Sequence, residues 1–212
     1  MLRQERKETG LTFRELMSGP FTMGVTDPEE GASIGERTEW RMVLRATVTI
    51  ADAGAFLSDP RPPATLTGEV RLPGVRRHIP FDNGVFRLFP PAGRAYRTLM
   101  VYEFGFSDNG VRYHVAGYKA TSENPMPAKL WADTTTLATR LYRGQDTSGE
   151  VVGAGVLRLS ALELARLIAS LRTPRARDVV DAAKAAGGYA LLFTRSLADT
   201  YLPLSIMERG RS

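Results

Sequence analysis

His114 and Glu103 are the pair best placed for acid-base chemistry in this chain. If Asn109-Gly110 forms a two-residue turn, His114 lies one ladder position from Glu103, close enough for a carboxylate to orient an imidazole. Acid-base work would also need a nucleophile or an activated water in a cleft. Both residues fall on the polar face of the inferred hairpin, so a cross-strand polar pair on a solvated face is the simpler reading. His78, beside Arg76 and Arg77, reads as a surface loop residue.

Lys119 and Asp133 carry the sharper question. Lys119 projects from the apolar face of its inferred strand, and Asp133 follows Trp131 in a string, Leu130-Trp131-Ala132-Asp133-Thr134-Thr135-Thr136-Leu137, that otherwise reads as core. A buried charge needs a partner. The two could form an internal ion pair, or Lys119 could reach solvent at a strand end. Alternatively Lys119, Tyr102 and Tyr113 line the mouth of a cavity and hold the polar end of an otherwise apolar ligand. The candidate ligand-binding set is therefore Lys119, Asp133, Tyr102, Tyr113 and Trp131, with Trp131 read as a core anchor.

Other chemistry is excluded by what the chain lacks. There is no cysteine and there are only two histidines, His78 and His114, which removes disulfides, thiolate nucleophiles and the usual zinc sets. Gly153-Ala154-Gly155 lacks the third glycine and the strand-to-helix setting of a dinucleotide fingerprint. Neither a Gly-x-Ser-x-Gly elbow, a His-Glu-x-x-His nor a phosphate-binding Gly-Lys-Ser/Thr occurs. No catalytic residue, metal or cofactor is expected.

The formal charge of +5 comes mostly from arginine. Arg158, Arg166, Arg172, Arg175 and Arg177 cluster with only Glu163 and Asp178 nearby. Arg166, Arg172, Arg175 and Arg177 form a candidate patch for an anion or an acidic partner. The charges come singly at helix spacing without interleaved aromatics, which favours a solvated helix face over nucleic acid. The charged segment Met1 to Glu8 has no signal-peptide core and no run approaches the roughly 20 apolar residues of a membrane span, so the expected setting is the cytoplasm.

The elements that must position these residues are mostly strands. Residues 1–37 read as an N-terminal arm, with a short helix over Leu11 to Met17 and a polar loop from Asp27 to Gly35. Residues 38–158 read as an antiparallel β domain. From Trp40 to Ile50, Met42, Leu44, Ala46, Val48 and Ile50 take one face of a half-buried strand. Leu66, Gly68, Val70 and Leu72 alternate in the next strand. Asn83-Gly84 predicts a tight hairpin whose first arm, carrying Pro80, is an edge.

Asn109-Gly110 predicts a second hairpin with a definite register. Asp108 faces Val111, Phe106 faces Tyr113, Phe104 faces Val115, Tyr102 faces Gly117 and Met100 faces Lys119, which makes one face aromatic and apolar. Strands follow over Thr134 to Tyr142 and Val151 to Leu157. The period then changes: Ser160 with Glu163 forms a capping box and Leu159 with Leu164 a hydrophobic staple, opening a helix with Leu164, Leu167, Ile168 and Leu171 as its stripe. Thr173-Pro174 ends it, and two further helices are expected through Asp178 to Ala183 and Tyr189 to Tyr201. Residues 159–204 thus form a helical part of the same domain and 205–212 a tail. The fold class is α+β, mainly antiparallel, a β-barrel or β-sandwich with C-terminal helices packed on it.

At Phe86-Arg87-Leu88-Phe89, Gly117-Tyr118-Lys119, the Leu130 to Leu137 string after Asn124-Pro125, and Phe193 to Tyr201 with Leu197 and Asp199, the chain resembles an accessory region of bacterial cholesterol-oxidase-like proteins of the glucose-methanol-choline (GMC) oxidoreductase group. The likeness spans most of Leu44 to Tyr201. It implies an auxiliary module associated with sterol or lipid oxidation, detached from the flavin domain, whose glycine-rich fingerprint this chain lacks. Flavin and its catalytic residues are not carried over.

The preferred reading is a non-enzymatic auxiliary domain that binds an apolar small molecule, lipid or sterol-like, or a partner protein, a second copy included. A lipid-modifying enzyme of unrecognised type using polar residues at a barrel mouth is the second. An arginine-mediated adaptor at a membrane surface or on nucleic acid is the third.

Overall fold

The computed structural model describes residues 10–58, 63–88, 98–120 and 135–173. Its strands are β1 (Leu11–Met23), β2 (Arg41–Ile50), β3 (Ala64–Arg71), β4 (Ile79–Leu88), β5 (Thr98–Asp108), β6 (Val111–Ala120), β7 (Thr136–Arg143) and β8 (Glu150–Arg158). They pair antiparallel in chain order, and β8 returns to β1 through Phe21↔Gly155, Thr22↔Ala154 and Met23↔Gly153, closing an eight-stranded barrel. Helices α1 (Pro28–Thr38), α2 (Ala53–Ser58) and α3 (Ala161–Ser170) complete the described part. The chain is α+β and mainly antiparallel β; of barrel and sandwich, the barrel forms.

Alternation decides which side chains fill it. Leu44, Val48, Leu66, Val70, Phe104, Phe106, Val115, Leu137, Leu141 and Leu157 point inward and are buried. The hairpin at Asn109-Gly110 has the expected register at all five pairs. Both turn residues have positive φ, 48° and 77°, as a two-residue type I′ turn needs. Arg45, Glu69, Glu103 and Arg112 occupy the outward positions. Apolar within and polar without is the reverse of a lipid-facing barrel. Among the described residues, no helix is long and apolar enough to cross a membrane.

The N-terminal segment departs from its expected form. Leu11 to Met17, expected as a short helix in an arm, lies within β1, and Leu11, Phe13, Met17 and Phe21 are core residues. The strand period competes there with a helical one, and the partner strands that settle it are distant in sequence. Asp27 to Gly35, expected as a loop, lies mostly in α1. Asp27 caps that helix, accepting from the backbone N–H groups of Glu29 and Glu30 at 3.0 and 2.9 Å, and Pro28 opens it. Its glycines lower helix propensity for a packing reason: a Cβ at Gly31 would stand 2.1 Å from the Ala154 carbonyl oxygen on β8. The helix lies tightly on the β1 and β8 wall, where Thr22 Oγ1 donates to the Gly31 carbonyl at 2.7 Å.

Asn83-Gly84 is no hairpin. Ile79–Leu88 is one strand, and Asn83, at φ 56°, sits in a bulge where the β3 register passes from Leu66↔Gly84 to Gly68↔Phe81. The same left-handed residue that makes a turn also absorbs the extra residue of a bulge. The ladder of β4 with β5 runs from Val85↔Glu103 to Leu88↔Met100, so Pro80 lies beyond it and its missing N–H breaks no bond there.

Ser160 caps α3, accepting from the Glu163 N–H at 3.2 Å. Leu164, Leu167 and Leu171 pack on the core. Ile168, expected in that stripe, is 59% exposed, one residue past the contacting face. The two further helices expected after Thr173 lie outside the described residues.

Candidate functional site

Inward alternation on β1 places a carboxylate among hydrocarbons. Between Phe13 and Met17, Glu15 turns into the barrel and is only 6% exposed. From the opposite wall β5 sends in Tyr102, 1% exposed, and the neighbouring β6 sends in Lys119, 2% exposed. The Tyr102 hydroxyl donates to Glu15 Oε2 at 3.3 Å, and the Lys119 ammonium lies 5.3 Å from the centre of the Tyr102 ring. Glu15 Oε1 is buried and has no hydrogen-bond partner among the described residues.

The surroundings of this cluster are aromatic. Phe86 meets Tyr102 edge to face at 5.1 Å between ring centres and meets Phe13 likewise at 6.3 Å. Further along the barrel, Phe81 stacks on Phe104 at 3.9 Å and Phe106 on Tyr113 at 5.5 Å. The aromatic stack fills the end where β5 turns into β6. The polar cluster sits toward the other end, near the start of β5 and the end of β6.

Burial acts on both charges in opposite directions. It pushes the Glu15 carboxyl above its ordinary value, an effect the Lys119 charge and the Tyr102 hydrogen bond partly offset. It pushes the Lys119 ammonium below its ordinary value, offset by Glu15. Each group is thus held toward neutrality by its surroundings and toward ionisation by the other. A hydroxyl, a carboxyl and an amine together can donate to and accept from a polar group.

The expected site residues are only partly brought together. Tyr102 and Lys119 belong to the cluster. Tyr113 does not: it lies six residues before Lys119 on the same strand, about 20 Å away, against Phe106. Trp131 and Asp133 lie outside the described residues, as do Arg175 and Arg177. The carboxylate that acts on Lys119 here is Glu15, which the helical reading of Leu11 to Met17 left without an inward face. The alternation of Leu11, Phe13, Glu15 and Met17 was the signal that could have found it.

On the outer wall, a groove of about 560 Å³ runs over β1, β2 and β3 beside α3, lined in part by Arg14, Arg45, Glu69, Glu163, Arg166 and Ser170. Arg45 pairs with Glu69 at 2.7 Å and Arg166 pairs with Glu163. Arg172 gives Nη1 hydrogens to the carbonyls of Ala169 and Leu171 at 3.0 and 2.9 Å. The two described members of the arginine patch are therefore engaged within α3 and its end.

His114 and Glu103 lie near each other but are not joined. Glu103 takes Arg87 at 2.6 Å, and His114, opposite Gly105 and Tyr142 in the ladders, tilts against the Tyr142 ring at 6.4 Å between centres. Among the described residues, no group of histidine and carboxylate side chains could hold a metal ion. Comparison with protein-family models, with curated proteins and with solved structures found no match.

Proposed function

We propose that the barrel is a non-enzymatic binding module for an apolar small molecule whose polar end is held by Glu15, Tyr102 and Lys119. The observation that carries this reading is a buried acid and a buried base on facing walls of a hydrocarbon interior, with one carboxylate oxygen that has no donor among the described residues. Such a pair is a poor device for stability. Removing two ions from water costs several kcal/mol each, and well-packed apolar residues in their place are often neutral or stabilising. A polar molecule that completes the hydrogen bonding supplies the missing return. The sterol or lipid oxidation setting offered by the sequence resemblance is part of the proposal, as is the bacterial cytoplasm.

Titration with Nile red, an uncharged apolar dye, tests it. Saturable fluorescence enhancement at one dye per chain is the expected result. A response that never saturates, or none, overturns the reading.

A further inference from the structure

The two helices that lie against β1 are held in unlike ways. α1 buries Pro28, Gly31, Ala32 and Gly35, and its glycines bring its backbone into contact with the wall. α3 buries none of its ten residues: Leu164 and Leu167 are only half-buried against the core, and Leu162 and Ile168 are exposed. A helix of that length is too short to be stable in water by itself, so its hold on the barrel decides whether it stays formed.

That hold lies along a stretch of β1 that β8 does not cover. β2 follows one edge of β1 from Leu11 to Pro20, but β8 meets the other edge only at Ser18 and from Phe21 to Met23. Between Leu11 and Met17, α3 stands where β8 would continue. Ser170 Oγ accepts from the Arg14 N–H at 2.8 Å, and Thr12 and Arg172 exchange both of their backbone hydrogen bonds at 2.8 Å. Backbone groups alternate in direction along a strand, so Thr12 and Arg14 face α3 while Phe13 and Glu15 face β2. We infer that α3 is a strap over a lateral seam of the barrel, and that it lifts as a unit while the strands stay paired. Lifting frees the β1 edge at Thr12 and Arg14 and uncovers the flank of the core beneath Leu164, Leu167 and Leu171. Such opening belongs to the wall of the barrel and is independent of whether the interior takes a ligand.

Native-state hydrogen exchange of the full chain, followed residue by residue by NMR, separates the two edges of this one strand. The amides of Thr12, Leu164 and Arg172 are expected to share one protection factor, at least about tenfold below that of Phe13 and Glu15, which exchange through unfolding of the barrel. Equal protection on both edges overturns the strap. Low protection at Thr12 with Leu164 at the level of the barrel overturns it as well, since β1 then frays beneath a helix that stays down. Ile79→Val supplies a second arm. Ile79 is a core residue of β4, and removing one methylene from it weakens the barrel equally with the strap closed or lifted. Phe13 and Glu15 are therefore expected to exchange about fivefold faster, while Thr12, Leu164 and Arg172 keep their rates. A rise of the same size at all five amides shows that α3 opens only when the barrel does, and overturns the strap. No change at Phe13 and Glu15 shows that β1 opens on both edges ahead of the barrel, which contradicts a strap that lifts alone.

Discussion

The Tyr102 hydroxyl reaches Glu15 Oε2 at 3.3 Å from the opposite side of the barrel, since β1 and β5 are four strands apart in either direction around the ring of eight. This hydrogen bond spans the lumen and joins two walls that share no ladder. Tyr102→Phe removes the donor and leaves the aromatic packing on Phe86 in place, so Glu15 loses its described hydrogen bond. A loss of about 1–3 kcal/mol is expected in urea denaturation, the penalty of a buried acceptor without its donor. An unchanged midpoint would show that the two groups do not interact in solution.

The outer framework of the barrel was legible because it rests on local chemistry. Met42 to Ile50 alternates strictly, Asn109-Gly110 allows one register, and Ser160 with Glu163 marks a helix start; each signal lies within about a dozen residues. The seam was not. β1 gains its identity from β2 and β8, and the return to β8 depends on Gly155, where a Cβ would come within 2.6 Å of the Phe21 Cα. Glycine there and in α1 looks like a loop signal in sequence and is a close-packing device in the fold. The cluster was half legible for the same reason: the Asn109-Gly110 register brought Tyr102 and Lys119 to one face, while Glu15 sat on the strand that local patterning could not place.

Lys119→Met alone leaves Glu15 without its positive neighbour. It is expected to lower stability by about 3–5 kcal/mol, because an uncompensated buried charge remains. Adding Glu15→Leu removes that charge and is expected to recover more than half of the loss. Denaturant titration of the wild type, both single variants and the double variant completes the cycle, and strictly additive losses would show that the two groups are uncoupled.

His114 governs one pH-dependent contribution. Burial holds its imidazole below the ordinary value of 6.5, against the pull of Glu103 and Asp146 and with the help of Arg112. The unfolded chain therefore takes up a proton before the folded one does. The stability associated with neutral His114 is present above about pH 6.5 and is lost as pH falls through the depressed folded value. Wild type is expected to lose more stability than His114→Gln between about pH 7.5 and about pH 5. Parallel curves from thermal denaturation at matched pH would contradict this.

The seat of α1 is tested by Gly31→Ala. The added methyl meets the Ala154 carbonyl oxygen at 2.1 Å, which is backbone and cannot swing aside. The helix must lift from the wall, at an expected cost of about 1–3 kcal/mol despite the better helix propensity of alanine. A gain in melting temperature would mean that α1 does not lie on β8 as described.

Native mass spectrometry of the protein purified from its own host, compared with the Lys119→Met, Glu15→Leu double variant, measures occupancy of the cluster directly. A ligand held there is expected as a one-to-one adduct on the wild type, extractable into organic solvent, and absent from a double variant that melts as a folded protein. The same adduct on both proteins, or the bare chain mass on both together with no saturable binding of apolar probes, would contradict a ligand held by Glu15, Tyr102 and Lys119.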